Sequence, residues 1–323
     1  MNSNVPVEEL LPGVYRIETE VGDNRLCLHL LRGERTLLVD SGVRTTPDAT
    51  IYPALRAAEL PSQIDLLLVS HADADHHGGN AAIRAGSPRV TILCHELDRP
   101  RVESKACHLR GRYDEVVSDD DTHYSPEIMD WLSDMIGPDA GVDIGLRGGE
   151  TLGLGGGMRY QVLHTPGHTA GHLSLWSPER RLLIMQDAVL WRGVRDRRGD
   201  VPSPPPYYDV AAYVDTVQRL HALDPEWLLT AHYPAMRGAE TAAFLATSLE
   251  FVEQLDRAVM DAVQEAGRPL TQSAVIEAVD ARLGPFATRI QSIGPTLAHL
   301  QRHVLGGRPR VGTDGSGRTW ELA

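Results

Sequence analysis

Four side chains able to bind metal ions follow a strand-like run within six positions of this 323-residue chain. The run IDLLLVS is apolar and of strand length, and HADADH comes almost directly after it. Its donors are His71, Asp73, Asp75 and His76. We expect a bent loop here, because a helix would scatter these donors around its surface, whereas a loop can turn alternate side chains inward. Such a loop would serve one metal ion with the first two donors and a second ion with the last two.

Three further donors occur downstream, each near a short apolar run. They are His168 in HTPGHTAGH, Asp187 in IMQDAVL and His232 in TAHYPAM. Histidine and aspartate hold divalent metals, and two ions held side by side generate hydroxide at neutral pH. The seven donors therefore predict a dinuclear catalytic centre assembled from four separate segments.

Composition and charge restrict the partners of the chain. A formal net charge of −13 and a sequence pI near 5.5 disfavour binding to nucleic acid unless the fold builds a local basic face. No apolar run reaches the roughly 20 residues of a membrane span, and the first residues lack the features of an export signal. Three cysteines without metal-binding spacing are typical of a reducing compartment. We expect a cytoplasmic protein with a small-molecule substrate and no membrane association, and a homodimer stays open.

Strand and helix patterns alternate up to about residue 240, which predicts an α/β layered domain. Strand patterns begin with three short runs over residues 13–42 and return in RVTILCH, MRYQVLH, HLSLWS and RLLIM. Residues 46–60 and 209–223 have helical spacing. The first donors directly follow a strand-like run, and ligands at a strand end are held rigidly, as catalysis requires.

A polar segment at 97–145 interrupts this alternation and has the length of a lid. Within it, YSPEIMDWLSDMI has helical character, and Met129, Trp131 and Met135 would give it an apolar face. An inert surface insertion is the alternative. A second irregular stretch, 191–209, contains three successive prolines and is expected to be a loop.

The C-terminal part of the chain has a helical pattern. A helix is predicted over 240–265 with Gly267 ending it, and two more helical runs and a glycine-rich hairpin follow. That order resembles a winged-helix module, so we divide the chain into a catalytic domain, 1–245, and a C-terminal module, 246–323. From residue 282 onward, six arginines stand against two carboxylates, a net charge of +4.

The donors occur in the order found in the metallo-β-lactamase superfamily of hydrolases, which the sequence resembles over about residues 10–240. Members usually carry T-H-x-H-x-D-H, then G-H, D and H, and four ordered matches make the resemblance specific. It implies an αβ/βα sandwich with two metal ions at one edge. The implied ligands are His71, Asp73 and His168 for the first ion, Asp75, His76 and His232 for the second, and Asp187 as the bridge.

The resemblance also implies the chemistry of the centre. A hydroxide between the ions would attack a carbonyl or phosphoryl centre, while one ion polarises the oxygen under attack. Asp75 is the expected catalytic residue, since it would orient the hydroxide and return a proton to the leaving group. Asp40, His164 and His172 are expected to support the ligands through hydrogen bonds.

Three residues next to predicted ligands are candidates for contact with the substrate. Trp191 and Arg192 follow Asp187 closely, and Tyr233 adjoins His232. We expect the first two to line the pocket and the tyrosine to donate a hydrogen bond to the substrate.

One position departs from the pattern of the superfamily, because Asp73 stands where the second histidine usually lies. A carboxylate adds a negative charge to the first site and hardens its ligand set, which shifts preference toward manganese or iron. It should also make a bound water less acidic. We expect two divalent metal ions, zinc first, with manganese or iron as alternatives because of Asp73.

These observations predict a metal-dependent hydrolase that uses a metal-bridging hydroxide on a small ester, lactone or thioester. A phosphodiesterase or nuclease is one alternative, favoured by Asp73 and by the basic C-terminal residues but disfavoured by the overall charge. A di-iron redox protein is another, although no flavin-binding domain follows in the sequence.

Overall fold

Two mixed sheets packed face to face form the centre of the fold. This computed structural model describes residues 7–114, 124–194, 196, 198–201, 203–286, 289–305, 309–314 and 317–322. The first sheet contains, in spatial order, β1 Val7–Leu11, β2 Val14–Val21, β3 Asn24–Arg32, β4 Thr36–Val39, β5 Leu66–Leu68, β6 Thr91–His95 and β7 Ile144–Leu146. It is antiparallel from β1 to β4 and parallel from β4 to β7.

The second sheet has six strands in the order β13-β12-β11-β10-β9-β8. Their bounds are β8 Thr151–Gly155, β9 Met158–His164, β10 Leu173–Ser177, β11 Leu182–Ile184, β12 Trp227–Leu229 and β13 Met236–Arg237. Side chains of the two sheets share one buried cluster, in which Leu37 and Leu68 of the first sheet pack with Val162 and Leu175 of the second. Burial of these facing apolar surfaces holds the sheets together.

Helices cover the outer face of each sheet. Those before the second sheet are α1 Tyr52–Ala57, α2 Ala74–His77, α3 Asn80–Gly86, α4 Arg99–Glu103, α5 Lys105–Leu109 and α6 Pro126–Met135, with π-helical turns at Pro47–Ile51 and Arg110–Asp114. Those after β11 are α7 Val210–Ala222, α8 Ala239–Ala266, α9 Gln272–Leu283 and α10 Ile293–Leu305, and short 3-10 turns lie at Pro178–Arg180 and Arg289–Ser292. In the described parts of the chain, none of the helices is both long and apolar enough to cross a bilayer.

The four layers, helix, sheet, sheet and helix, confirm the predicted α/β sandwich. Leu55 and Ile83 pack on the outer face of the first sheet, and Val217 and Leu255 pack on the outer face of the second. The sequence did not reveal β1, β7, β8 and β13. These strands lie at sheet edges and are short or partly exposed, so their side chains lack the apolar runs that mark buried strands.

The donor run after β5 differs from the expected loop. Asp73 is extended, at φ −101° and ψ 146°, but Ala74–His77 forms a helical turn. The predicted bent loop is therefore wrong for Asp75 and His76, which lie on a helical turn. Neighbouring residues on a helical turn point about 100° apart, so a single turn brings these two side chains toward one centre without scattering them.

The segment 97–145 is helical over most of its described part and ends in strand β7. Helix α6 begins at Pro126, where the Ser125 side chain accepts a hydrogen bond from the backbone of Ile128 at 3.3 Å. At its other end, the carbonyl of Met135 accepts a hydrogen bond from the backbone of Arg44 at 2.7 Å. The segment is therefore fastened to the sandwich next to the donor run.

The C-terminal helices pack against the second sheet and its helix α7. Helix α8 ends where predicted, at Gly267, which adopts φ +59°. Strands β14 Leu270–Thr271, β15 Pro309–Asp314 and β16 Gly317–Leu322 form a third sheet in the order β14-β16-β15. The proposed boundary at 245 and 246 falls inside α8, and Trp320 belongs to the same buried cluster as Val217. The division into two domains and the winged-helix assignment stay predictions.

Two of the C-terminal arginines are paired with carboxylates of α8. Arg282 lies 2.6 Å from Glu265, and Arg302 lies 3.8 Å from Asp256. These pairs offset part of the positive charge that favoured a nucleic-acid partner.

Candidate metal centre

One buried carboxylate, Asp40, orients the first two histidines of the centre. Its Oδ2 accepts hydrogen bonds from His76 Nδ1 and from the Ser70 hydroxyl, each at 2.8 Å. Because Ser70 gives its only hydroxyl proton to Asp40, its oxygen accepts from His71 Nδ1, 2.9 Å away. Both imidazoles therefore carry a proton on Nδ1 and turn Nε2 toward the centre.

Backbone carbonyls orient the other two histidines in the same way. His168 Nδ1 donates to the carbonyl of Pro206, and His232 Nδ1 donates to the carbonyl of Arg25 at 2.6 Å. In all four rings Nδ1 is bonded to the protein and Nε2 faces the centre. This is the arrangement in which histidine binds metal ions through Nε2.

The first group of donors contains His71, His168 and Asp187, whose ligand atoms lie within 4.8 Å of one another. Asp73 Oδ2 lies beside them, 3.0 Å from His168 Nε2 and 3.7 Å from His71 Nε2. The structure thus brings together all the donors expected for the first ion.

The second group contains Asp75, His76 and His232, again with ligand atoms within 4.8 Å. Asp75 Oδ2 lies 3.7 Å from His76 Nε2 and 3.9 Å from His232 Nε2. Asp187 Oδ2 lies 3.2 Å and 3.1 Å from the same two nitrogens, and 3.8 Å from Nε2 of His71. One oxygen of Asp187 therefore faces both groups, the position expected of a bridging ligand.

The donor set fits divalent cations. His71 Nε2, His76 Nε2 and Asp187 Oδ1 are buried and have no hydrogen-bond partner among the described residues. Buried polar atoms normally have a partner, so orphaned donor atoms gathered at one point are an arrangement that fits a cation. Two donors of one tetrahedral zinc ion, each about 2.0–2.1 Å from the metal, lie roughly 3.3 Å apart. The shortest spacings here, 3.0 to 3.2 Å, approach that value.

Carboxylates dominate the electrostatics of the centre. Burial alone would raise the pKa of Asp187, but His232 and His76 hold it well below its usual range. Burial would lower the pKa of His232, yet Asp187 and Asp75 raise it to about 9. The ionised carboxylates therefore favour positive charge at this point, supplied by protons or by metal ions.

Comparison with known proteins identifies the family. The sequence profile of the metallo-beta-lactamase superfamily matches residues 25–232, more than half of the chain and a range that includes all seven donors. The chain belongs to the metallo-beta-lactamase superfamily. Its membership confirms a metal-dependent hydrolase, and a two-metal centre is typical of the family.

Several named proteins are similar to this superfamily member. Probable metallo-hydrolase YflN of Bacillus subtilis (strain 168) is 25% identical over 214 residues, covering 62% of this chain and 76% of the relative. Acyl-coenzyme A thioesterase MBLAC2 of Gallus gallus is 28% identical over 241 residues, covering 70% and 78%. A hydroxyacylglutathione hydrolase of Hyphomonas neptunium is 28% identical over 159 residues, covering 49% of this chain and 44% of that protein.

Solved structures of the superfamily extend the likeness across the C-terminal helices. A metallo-beta-lactamase family protein from Thermus thermophilus superposes with a TM-score of 0.76 and 21% identity, covering 98% of this chain and 100% of that one. A beta-lactamase domain protein from Burkholderia ambifaria also gives 0.76, with 18% identity and coverage of 100% and 95%. At these identities the likeness concerns the fold.

Asp73 is held by an arginine that the sequence reasoning missed. Arg112 donates from Nε to Asp73 Oδ1 at 2.6 Å and from its terminal nitrogen to Oδ2 at 2.8 Å. Burial alone would raise the pKa of Asp73, but Arg112 and His168 hold it well below its usual range. The negative charge that Asp73 was expected to add to the first site is therefore offset by a guanidinium that the sequence did not reveal.

The support given by Asp40 extends further into the core than the sequence suggested. Gln186 Nε2 donates to Asp40 Oδ2 at 2.7 Å, and Gln186 Oε1 accepts from His29 Nδ1, 2.9 Å away. Burial lowers the pKa of His29 to about 4, so this ring is neutral near neutral pH. A buried chain of hydrogen bonds thus leads from β3 to Asp40, whose carboxylate contacts His76 as expected.

A second buried carboxylate, Asp98, joins the two loops that carry His71 and His168. Its Oδ2 accepts from the backbone of Ala72 at 3.1 Å and from the Thr169 hydroxyl at 2.7 Å. Its Oδ1 accepts from the backbone of Gly171 at 3.0 Å. No local pattern marks Asp98 in the sequence, because its role depends on two loops that meet only in the fold.

The two other supporting histidines act differently from the prediction. The His172 ring stacks on the His71 ring at 4.8 Å, and its Nδ1 lies 2.9 Å from the Thr165 hydroxyl, so it supports a ligand by packing. His164 Nε2 bonds to the carbonyl of Ala170 at 2.8 Å. The predicted hydrogen bond from His164 to a ligand is therefore replaced by a contact with the loop that carries His168.

The structure contradicts the expected substrate contacts of Trp191, Arg192 and Tyr233. The Tyr233 hydroxyl lies 2.9 Å from the carbonyl of Leu190 and 2.6 Å from that of Gly193, which fixes the turn after Asp187. Trp191 packs on the core cluster near α8, and the Arg192 guanidinium lies over its ring at 5.9 Å. Adjacency in sequence misled the prediction, because Tyr233 and Trp191 pack with the core and the Arg192 guanidinium lies over the ring of Phe251 in α8 at 5.4 Å.

A cavity of about 480 Å³ opens onto the donor groups. Asp75, Asp187 and His232 lie on one wall, together with Asp73 and His168. Helix α6 contributes further lining, and the remaining apolar lining comes from β2 and the segment after Asp187. The apolar lining residues are Val21, Ile128, Trp131, Leu132, Met135, Leu190 and Val194. Of the predicted lid face, Trp131 and Met135 therefore line the cavity.

Proposed function

We propose that this hydrolase cleaves a small thioester, ester or lactone with an apolar acyl group, and that thioesters are its preferred class. The observation that carries the proposal is the cavity itself. Its donor wall holds Asp75 and Asp187, and its α6 wall presents Ile128, Trp131 and Leu132. An acyl chain lying against α6 would bury apolar surface while its carbonyl carbon lies beside the donors.

We propose that the seven donors predicted from the sequence hold two divalent metal ions, zinc first and manganese or iron as alternatives. The proposed sets are His71, Asp73 and His168 for one ion, Asp75, His76 and His232 for the other, and Asp187 between them. Such ions, when bound, would lower the pKa of a water molecule so that it can attack after losing a proton. They would also polarise the substrate carbonyl. The orphaned nitrogens and the oxygen of Asp187 that faces both groups support this assignment.

The protein residue proposed to handle the proton is Asp75. Its side chain is 22% exposed, whereas those of His76 and Asp187 are 0% and 5% exposed, so Asp75 reaches the cavity most openly. From there its carboxylate can accept a proton from the attacking water and pass it to the leaving group. A thiolate leaves with little need of that proton because thiols have a pKa near 8.5, which is consistent with a preference for thioesters.

The names of two relatives support the thioester class. The Gallus gallus relative is an acyl-coenzyme A thioesterase, and the Hyphomonas neptunium relative is a hydroxyacylglutathione hydrolase. Each is only 28% identical to this chain, so they support the reaction class and leave the acyl group and the thiol carrier open.

The test compares acyl-coenzyme A thioesters, acyl glutathiones, p-nitrophenyl esters and lactones, before and after removal of metal with EDTA. We expect thioesterase activity to be highest, to disappear with EDTA and to return with zinc or manganese. His71→Ala should abolish it, whereas His221→Ala, at an exposed position on α7, should not. Full activity without metal, or cleavage of phosphodiesters alone, would contradict the proposal.

A further inference from the structure

Arg112 and Asp73 form a nearly buried ion pair at the edge of the first donor group. The guanidinium is 7% exposed and the carboxylate 19%, and two parallel hydrogen bonds of 2.6 and 2.8 Å join them. Bidentate pairing of this kind is the strongest form of arginine–carboxylate contact. The same Asp73 oxygen that accepts the 2.8 Å bond also lies 3.0 Å from His168 Nε2.

The pair changes the charge of the first site. A histidine ligand is neutral, and the superfamily pattern has a histidine where this chain has Asp73. A lone aspartate would add one negative charge, but the Arg112 guanidinium adds one positive charge at hydrogen-bond distance. The two residues together therefore have no net charge, like the imidazole that they replace.

The segment before α7 holds Arg112 in this position. The guanidinium lies over the ring of Tyr208 at 4.4 Å, and the backbone nitrogen of Tyr208 donates to the carbonyl of Gly167 at 2.9 Å. Since Gly167 directly precedes His168, the tyrosine that packs on Arg112 is hydrogen-bonded to the backbone that carries a ligand of the first group. This fixes the guanidinium close to the donors.

We infer that, given the ligands proposed above, Arg112 is a positioning residue that makes Asp73 an oxygen donor without adding charge to the first site. The guanidinium lies beside both oxygens of Asp73 and lowers the negative potential that a divalent cation meets there. Affinity of the first site for a cation then depends on the summed charge of positions 73 and 112, and on neither residue alone.

Comparison of four proteins distinguishes this charge effect from a purely structural role of Arg112. They are the wild type, Arg112→Gln, Asp73→His and the double variant. The summed charge of residues 73 and 112 is then 0 in the wild type, −1 in Arg112→Gln, +1 in Asp73→His and 0 in the double variant. We expect Arg112→Gln to bind zinc at the weaker of the two sites about tenfold more tightly, and Asp73→His about tenfold less tightly. The double variant should return to within about threefold of the wild type. The measurement is zinc affinity by competition with a chromophoric chelator, together with metal content after dialysis.

Arg112→Lys serves as the control, since it keeps the charge and loses the bidentate geometry, and its zinc affinity should stay near that of the wild type. If Arg112→Gln did not fold, the comparison of Asp73→His with the double variant would measure the same effect. A double variant that binds zinc no more tightly than Asp73→His would overturn the inference. A wild type that holds no metal would instead refute the proposed function, so the two failures are distinguishable.

Discussion

Gly294 lies directly against the ring of Tyr208, so that a Cβ added to the glycine would come within 2.9 Å of Tyr208 Cε1. The glycine belongs to α10, near the C-terminus, and the Arg112 guanidinium lies over the ring of the tyrosine at 4.4 Å. A C-terminal helix therefore contacts the segment that positions the first donor group. The C-terminal helices take part in building the centre.

Gly294→Ala is expected to displace the Tyr208 ring and, through Arg112, to disturb Asp73. We expect stability to fall by about 1–3 kcal/mol from overpacking, and the zinc retained after dialysis to increase as in Arg112→Gln, because the guanidinium moves away from Asp73. Thermal unfolding and metal analysis measure both effects. Gly141→Ala is the control, because a Cβ there meets open space at a backbone that is not left-handed. Unchanged unfolding and metal content in Gly294→Ala would show that the contact has no role.

Asp40→Asn should weaken metal binding without removing a ligand. The carboxylate accepts four hydrogen bonds, from the backbone and hydroxyl of Ser70, from His76 Nδ1 and from Gln186 Nε2. An amide cannot accept all four, so the His76 ring loses its orientation. Loss of such a supporting partner typically lowers metal affinity or activity by about 10–100-fold.

A matched control for Asp40 is Asp224→Asn. Asp224 also has a positive φ, at +49°, compared with +65° for Asp40, but its carboxylate pairs with Arg181 at the surface. Zinc titration of both variants separates the backbone effect from the contact with the ligand. Equal zinc affinity in the two variants would contradict the prediction.

Asp256→Asn is expected to destabilise the C-terminal helices in a pH-dependent way. Burial would raise the pKa of Asp256, but hydrogen bonds from His299 and His303 lower it to about 2, from 3.8. A lowered pKa stabilises the fold above the unfolded value, and the contribution is lost as the pH falls through the folded value. We expect a loss of about 1–3 kcal/mol at neutral pH, which should vanish between about pH 4 and pH 2.

Asp256 is linked to the metal centre through His299 and Tyr207, so zinc content is a second quantity to measure in Asp256→Asn. His299 Nε2 accepts a hydrogen bond of 2.8 Å from the Tyr207 hydroxyl, and the neighbouring Pro206 carbonyl holds His168. Chemical denaturation at several pH values should be accompanied by zinc analysis. Asp215→Asn, in an exposed pair with Arg219 on α7, should change stability by less than about 1 kcal/mol. A pH-independent effect of Asp256→Asn would disprove the assigned ionisation.

Trp131→Ala should alter the preference for acyl chain length. Trp131 is 51% exposed yet lines the cavity, and a Cβ added to Gly22, another lining residue, would lie 3.9 Å from its ring. Removing this surface should lower kcat/KM about five- to tenfold for long acyl thioesters and leave the acetyl thioester unchanged. Leu97→Ala, at an exposed apolar residue that does not line the cavity, is the control. An equal loss on all chain lengths would argue against an acyl wall at α6.

The sequence predicted the donors because their chemistry and order are local properties of the chain. His71, His168 and His232 each follow a strand pattern, and strand ends meet at one edge of a sandwich. Arg112 and Asp98 escaped prediction because their partners lie in other segments of the chain, and only the fold makes them neighbours.

Predictions from adjacency failed where a turn decided the direction of a side chain. Tyr233 was expected to donate a hydrogen bond to the substrate because it adjoins His232, yet its hydroxyl donates to backbone carbonyls of the turn at 190–193. Likewise, the helical turn at Ala74–His77 could not be told from a loop, because four residues are too few for a periodic pattern.

Helix α8 limits how this protein can be shortened. It has 28 residues, and a chain ended at residue 245 would keep only its first two turns. Tyr213, Val217 and Leu220 of α7 would then lose the apolar side chains that cover them, among them Val252 and Leu255. We therefore expect a fragment that ends at residue 245 to aggregate on expression, and useful deletions to begin beyond the end of that helix.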